Sequence, residues 1–149
     1  MDPFARIMVG WDGSHDSAHA LQVAAELSEG LGAEVVVVAV LPVPDGETRE
    51  DMEQETAGHR RQTTTAISSA VSGEAHIRVE FLEADRASEA LADYAEGQGC
   101  GLLVLGRHGL DRAIHPRAGG VTERLVRHAS CPVLVVSGRG DRHAGVPGG

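Results

Sequence analysis

Apolar residues recur along this chain in short blocks, at residues 7–11, 35–41, 77–82, 102–105 and 133–136, each rich in Val, Ile and Leu. Blocks of this length and β-branched content predict five strands. In the second block Val35, Val36, Val37 and Val38 are continuous rather than alternating, the pattern of a strand buried on both faces of a parallel sheet. Between the blocks the spacing turns helical. Ala20, Ala24, Leu27 and Leu31 make one stripe along residues 17–31, and Gly32 stops that helix. A second helix is predicted over much of 47–72, where residues 45–55 are polar almost throughout. A third covers 87–96, with Ala87, Leu91, Tyr94 and Ala95 on one side and Asp85 available as its N-cap. The fourth, 121–129, begins directly after Gly119-Gly120. Strand–helix alternation throughout predicts an α/β fold, a doubly wound parallel sheet with helices on both faces and right-handed crossovers.

A length of 149 residues with 42% hydrophobic content suits one domain with a continuous core. Residues 1–137 are expected to form it. The tail 138–149, rich in Gly, Arg and Pro and without apolar periodicity, is expected to be disordered. No apolar run approaches the roughly 20 residues of a membrane-spanning helix, and Met1-Asp2-Pro3-Phe4 lacks the build of a signal peptide. The expected compartment is the cytoplasm, with no membrane partner. Cys100 and Cys131 have neither disulfide-framework nor zinc spacing and are expected to be buried fillers.

The net charge of −9 argues against a nucleic-acid partner. All 13 basic residues are arginine, and Arg107, Arg112, Arg117, Arg124 and Arg127 share a stretch holding only the carboxylates Asp111 and Glu123. An acidic chain therefore carries one locally basic segment. The absence of lysine removes Schiff-base chemistry and the phosphate-binding Lys of a Walker A loop.

That basic segment holds the strongest motif: Gly106-Arg107-His108-Gly109, nine residues, then Gly119-Gly120-Val121-Thr122, between the fourth strand and the fourth helix. Glycines let backbone N–H groups converge on an anion, and the following helix adds its unpaired N–H groups and dipole. A plain connection that turns at both ends has the same glycines. The local arginines and the position at a strand's carboxyl end, where open α/β sheets bind ligands, favour a phosphate site. The first strand ends in Gly10-Trp11-Asp12-Gly13-Ser14, where Asp12 either accepts from an adenine amine and ribose hydroxyls or caps the next helix. Ser14 reads as a cap.

Ile7-Met8-Val9-Gly10-Trp11-Asp12-Gly13-Ser14, the Gly106–Thr122 segment and the closing Cys131-Pro132-Val133-Leu134-Val135-Val136 together resemble the universal stress protein family. The resemblance implies a five-stranded parallel sheet in the order 3-2-1-4-5, a dimer, and membership divided between ATP binders and chains lacking the site. The binders' pattern is Gly, two residues, Gly, nine residues, Gly, then Ser or Thr. Gly106, Gly109 and Gly119 match it, and Gly120 stands at the hydroxyl position. By position, the resemblance makes Asp12 and Val40 adenosine contacts, and Gly106, Gly109, Gly119, Gly120, Val121 and Thr122 phosphate contacts. It implies ATP, or another adenine nucleotide, with Mg2+ as possible companion. A lost hydrogen bond to a charged group weakens binding about 10-fold to 100-fold, so Gly120 lowers the expected affinity without abolishing it. Arg107 could add a charge-assisted phosphate contact, and His108 is the one histidine connected with nucleotide. Pro116 makes the nine-residue spacer a loop rather than a helix.

Of the eight histidines, His15 and His19 have helical i,i+4 spacing but share a polar face with Gln22, Glu26 and Glu29, so no metal site is expected. No nucleophile elbow or acid–base pair is placed together by sequence, and at most slow ATP hydrolysis is expected. The last strand, from Pro132 to Val136, is expected to be an edge too apolar to leave uncovered, which predicts a homodimer through it.

Overall fold

A computed structural model describes residues 4–41, 43–44, 46–71, 76–107 and 120–137. The chain order is β1 (Arg6–Trp11), α1 (His15–Leu31), β2 (Glu34–Leu41), α2 (Arg49–Ala70), β3 (Ile77–Glu83), α3 (Ala87–Gly97), β4 (Leu102–Gly106), α4 (Val121–His128) and β5 (Val133–Val136). All pairings are parallel and the sheet order is β3-β2-β1-β4-β5, as the family resemblance implied.

Strand alternation sorts the core into two layers. Ile7, Val9, Trp11, Val35, Val37 and Ala39 point to the side covered by α1 and α2, where Ala20, Leu21, Ala24 and Ile67 meet them. Met8, Val36, Val38, Leu103 and Leu105 point to the other side, covered by Leu91 and Ala95 of α3 and by Val121 and Leu125 of α4. The run Val35–Val38 has 0% exposure at every position, and each such side chain contributes roughly 1.5–3 kcal/mol relative to exposure.

Helix α1 starts two residues earlier than its apolar stripe suggested, because Ser14 caps it by accepting from the Ser17 N–H at 3.1 Å. Gly32, in the left-handed region at φ 68°, ends it. Its buried face is Ser17, Ala20, Leu21, Ala24, Ala25 and Ser28, while Leu31, assigned to the stripe, is 43% exposed. Asp85 does not cap α3. Arg86 occupies that position with no side-chain cap, and its guanidinium instead donates to Glu89 at 3.2 Å. In α2, capped by Thr48, only Ile67 is buried, consistent with its polar sequence.

The amino-terminal ends of β1, β2 and β3 carry charge. Arg6 and Arg78 both approach Glu34 at 3.4 Å, and Arg78 approaches Glu80 at 3.6 Å. Exposures of 35% to 43% keep such pairs to under about 1 kcal/mol each. Charges on β3 also blunt that edge of the sheet. Among the described residues no helix is long and apolar enough to cross a membrane.

Candidate functional site

Strand order reverses between β1 and β4, so the crevice of this sheet opens at their carboxyl ends. The register carries the candidate residues there. Trp11 pairs with Ala39, which sets Asp12, one residue on, level with Val40. Val9 pairs with Val104, which sets Trp11 level with Gly106.

Asp12 is exposed, and one of its carboxylate oxygens accepts from the Ser14 N–H at 2.8 Å. That bond closes the turn over Gly13, whose φ of 86° suits glycine. Asp12 thus shapes the turn before the helix, and Ser14 caps the helix. Val40 is half-buried and packs on the α3–α4 layer beside Leu82.

Gly106 is the last residue of β4 rather than the first of a loop. A Cβ there would lie 2.7 Å from Asp16 Cβ and 2.8 Å from the Asp16 carbonyl carbon. Glycine is required because the first turn of α1 packs directly on the strand, with Asp16 and Ser17 buried at 7% and 1% exposure. Sequence reasoning missed Asp16. An acid in a helix's first turn ordinarily signals an exposed partner for the dipole, and here the turn is instead packed against Gly106, distant in sequence.

Gly120 takes the N-cap position of α4 at φ 79°, ψ 148°, with no side-chain cap. Only glycine adopts that conformation readily. The first bond of the helix runs from Arg124 N–H to the Gly120 carbonyl at 3.2 Å, so the earlier N–H groups of the turn have no intrahelical acceptor. Val121 buries its side chain at 5% exposure and offers the crevice its backbone alone. Thr122 donates its hydroxyl to the Gly106 carbonyl at 2.9 Å, clasping the start of α4 to the end of β4. Arg107 is exposed, and its N–H donates to the Val136 carbonyl at 2.8 Å. His108, Gly109 and Gly119 lie outside the described residues, as do Arg112, Pro116 and Arg117.

His15 is exposed as expected, but His19 is half-buried and its Nδ1 donates to the Ser137 carbonyl, tying α1 to the end of β5. Among the described residues no group of three or more His, Cys, Asp or Glu side chains converges as a metal site would.

The clasp has a measurable value. Thr122→Val should lower stability by about 1 kcal/mol, or roughly 2–4 °C in thermal midpoint, and Thr122→Ser should restore it. Equal midpoints for Thr122→Val and wild type would show the bond to be idle.

The profile of the universal stress protein family matches residues 3–137. The chain belongs to that family. A universal stress protein of Thermus aquaticus is 31% identical over 136 residues, covering 89% of this chain and 98% of the relative. Among solved structures, a universal stress protein in complex with cAMP aligns with TM-score 0.67 and 21% identity, covering 91% of this chain and 98% of that one. A universal stress protein of Archaeoglobus fulgidus in complex with dAMP aligns with TM-score 0.64 and 21% identity, covering 91% and 99%. At these identities the structural likeness establishes a shared universal stress protein fold.

Proposed function

We propose that this universal stress protein binds an adenine nucleotide, with ATP as the reference ligand, in the crevice between β1 and β4, as a nucleotide-responsive module of a stress response. One observation carries the reading. The first turn of α4 opens on a glycine-only N-cap with no side-chain cap among the described residues, and Thr122 clasps that turn to the end of β4. Such a turn suits phosphate oxygens. The cAMP and dAMP complexes of the two structural neighbours support the same ligand class.

In this reading Asp12 and Val40 hold the adenosine. The N–H groups of Gly120, Val121 and Thr122 meet phosphate, with Gly106, Gly109 and Gly119 giving the backbone room and Arg107 and His108 adding polar contacts. Mg2+ would accompany a triphosphate. Gly120 contributes no hydroxyl, and the Thr122 hydroxyl proton is already committed to Gly106, so anion binding rests on backbone N–H groups. The competing reading is a nucleotide-free stress-response dimer. Gly120 favours it, as does an acidic side chain, Asp16, buried against Gly106. Native mass spectrometry of freshly purified protein separates the two, because co-purified adenine nucleotide supports binding and a nucleotide-free spectrum that stays so after incubation with ATP supports the alternative.

We further propose a cytoplasmic homodimer through β5. On this edge strand Leu134 and Val135 are 37% and 41% exposed, and Val126 of the neighbouring α4 is 53% exposed. An apolar edge of this kind is stabilised by pairing. Val135→Glu should shift the mass in light scattering from dimer to monomer, and an unchanged mass would reject this interface.

A further inference from the structure

Cys100 and Cys131 lie at the end of the sheet opposite the crevice, before β4 and β5, and both are free thiols. Leu103 and Val133 are register partners, and the Leu103 N–H donates to the Pro132 carbonyl at 2.9 Å. Continued backwards, this register sets Cys131 level with Gly101, one residue from Cys100. Cys100 stands just before β4, out of strand alternation, and turns to the same layer as Cys131, near enough for Cys131 to act on it electrostatically; a disulfide bridges Cα atoms roughly 4.4–6.8 Å apart.

Both side chains turn to the same layer, each packing on the cluster built from Leu91, Ala95, Leu103 and Leu125. Both also line one cavity of about 390 Å³, together with Phe4, Glu96 and Pro132. Backbone bonds hold the cavity wall in place, Cys100 N–H donating to Ala95 and Gly101 N–H to Arg6, each at 3.0 Å. We infer that Cys100 and Cys131 form an oxidisable dithiol site, which a peroxide closes to an intramolecular disulfide.

The ligand count favours this chemistry over metal binding. Burial pushes both thiols up from their ordinary range. At Cys100, Arg6 and Arg78 pull the other way, while Cys131 and Glu34 add to the rise. A metal would need further ligands beside the two thiolates, and among the described residues no third His, Cys, Asp or Glu joins them, whereas a disulfide needs the two sulfurs alone. Cys131 is half-buried and Cys100 buried, so Cys131 meets the oxidant first. Its thiol loses a proton, the sulfur attacks the peroxide O–O bond, and a sulfenic acid forms as one water leaves. The Cys100 sulfur then displaces the hydroxyl, the S–S bond forms as the S–O bond breaks, and the Cys100 proton departs in a second water. Two thiols give up two electrons in all, and one peroxide ends as two waters. The closed segment, 100–131, contains β4 and α4, so oxidation ties together the base of both elements that carry the crevice glycines.

The test uses the reduced chain exposed to hydrogen peroxide, read by intact mass and non-reducing peptide mapping. The expected product is a chain lighter by two hydrogens, with Cys100 and Cys131 peptides cross-linked. Its thermal midpoint should rise by roughly 5–10 °C and return with dithiothreitol. Because both thiols are shifted upward, closure should be slow at neutral pH and should accelerate about tenfold per pH unit until the raised pKa is reached. Phenylarsine oxide, which bridges paired thiols with loss of water, gives a second readout. One stable adduct is expected on wild type and none on Cys131→Ser. Sulfinic or sulfonic acid without a cross-link, disulfides only between chains, or an adduct that Cys131→Ser retains would overturn the inference. The wild-type peptide map decides the question whether or not the variant folds.

Discussion

Leu125→Ala is expected to destabilise the chain by about 2–5 kcal/mol, a large share of the roughly 5–15 kcal/mol that holds a domain of this kind folded. Helix α4 is only 8 residues long, too short to persist on its own in water. It is held by two buried side chains, Val121 at 5% and Leu125 at 1% exposure, while Arg124, Val126, Arg127 and His128 face outward. Removing the Leu125 side chain opens a cavity against Leu91, Leu103 and Leu105 in the same layer, and frees the end of the helix that Thr122 clasps to β4. Urea denaturation followed through Trp11, the one tryptophan of the chain and 6% exposed, reads the loss directly. Arg127→Ala, at an exposed position of the same helix, should change stability by no more than about 0.5 kcal/mol. Equal midpoints for the two variants would mean that α4 is not docked as described.

Gly106→Ala should act through a different cause. The added methyl meets Asp16 Cβ at 2.7 Å and the Asp16 carbonyl carbon at 2.8 Å, and the second of these is backbone inside the capped first turn of α1. Neither atom can swing aside like the tip of a long side chain. Either α1 retreats from β4 or the strand end shifts away from β5, where Arg107 N–H bonds to Val136. Overpacking of this kind costs about 1–3 kcal/mol, or roughly 3–10 °C in thermal midpoint. A midpoint within a degree of wild type would contradict the close approach of α1. The substitution also moves the Gly106 carbonyl that accepts from Thr122, so weakened nucleotide binding should accompany the lost stability.

The sheet was legible because its signal is local. Four consecutive valines leave a strand no polar face, and alternation elsewhere sorts side chains between the two helical layers without further information. The strand order was not local. It came with the family resemblance, carried by the Asp12 turn and the glycine spacing. Helix α1 shows where a hydropathy pattern misleads. Ser17 and Ser28 look polar yet are buried, because each hydroxyl bonds within its own helix region, Ser17 to the Ser14 carbonyl at 3.0 Å and Ser28 to the Ala25 carbonyl at 2.7 Å. Leu31 looks apolar yet is exposed, one residue before the Gly32 turn.

The candidate site divides in the same way. The end of the first strand, the glycine spacing and the family resemblance single out Asp12, Gly106, Gly120 and Thr122, but the contacts that Gly106, Gly120 and Thr122 make are not local to the motif. Gly106 reads as a loop glycine, whereas its size is demanded by Asp16, far away in sequence. Thr122 reads as a phosphate ligand, whereas its hydroxyl spends its proton on Gly106. Gly120 reads as a missing hydroxyl, whereas its φ of 79° makes a serine or threonine there strained. The cysteines read as buried fillers because their spacing has no motif, and the fold brings them to one cavity.

The nucleotide crevice is tested most directly by calorimetric titration of nucleotide-free protein with ATP, AMP and cAMP, with Asp12→Ala and Gly120→Val titrated alongside. Saturation at one adenine nucleotide per chain is expected for wild type, with binding weakened at least tenfold in both variants. No binding of any of the three at millimolar concentration, or equal affinity in wild type and both variants, would contradict a nucleotide site between β1 and β4.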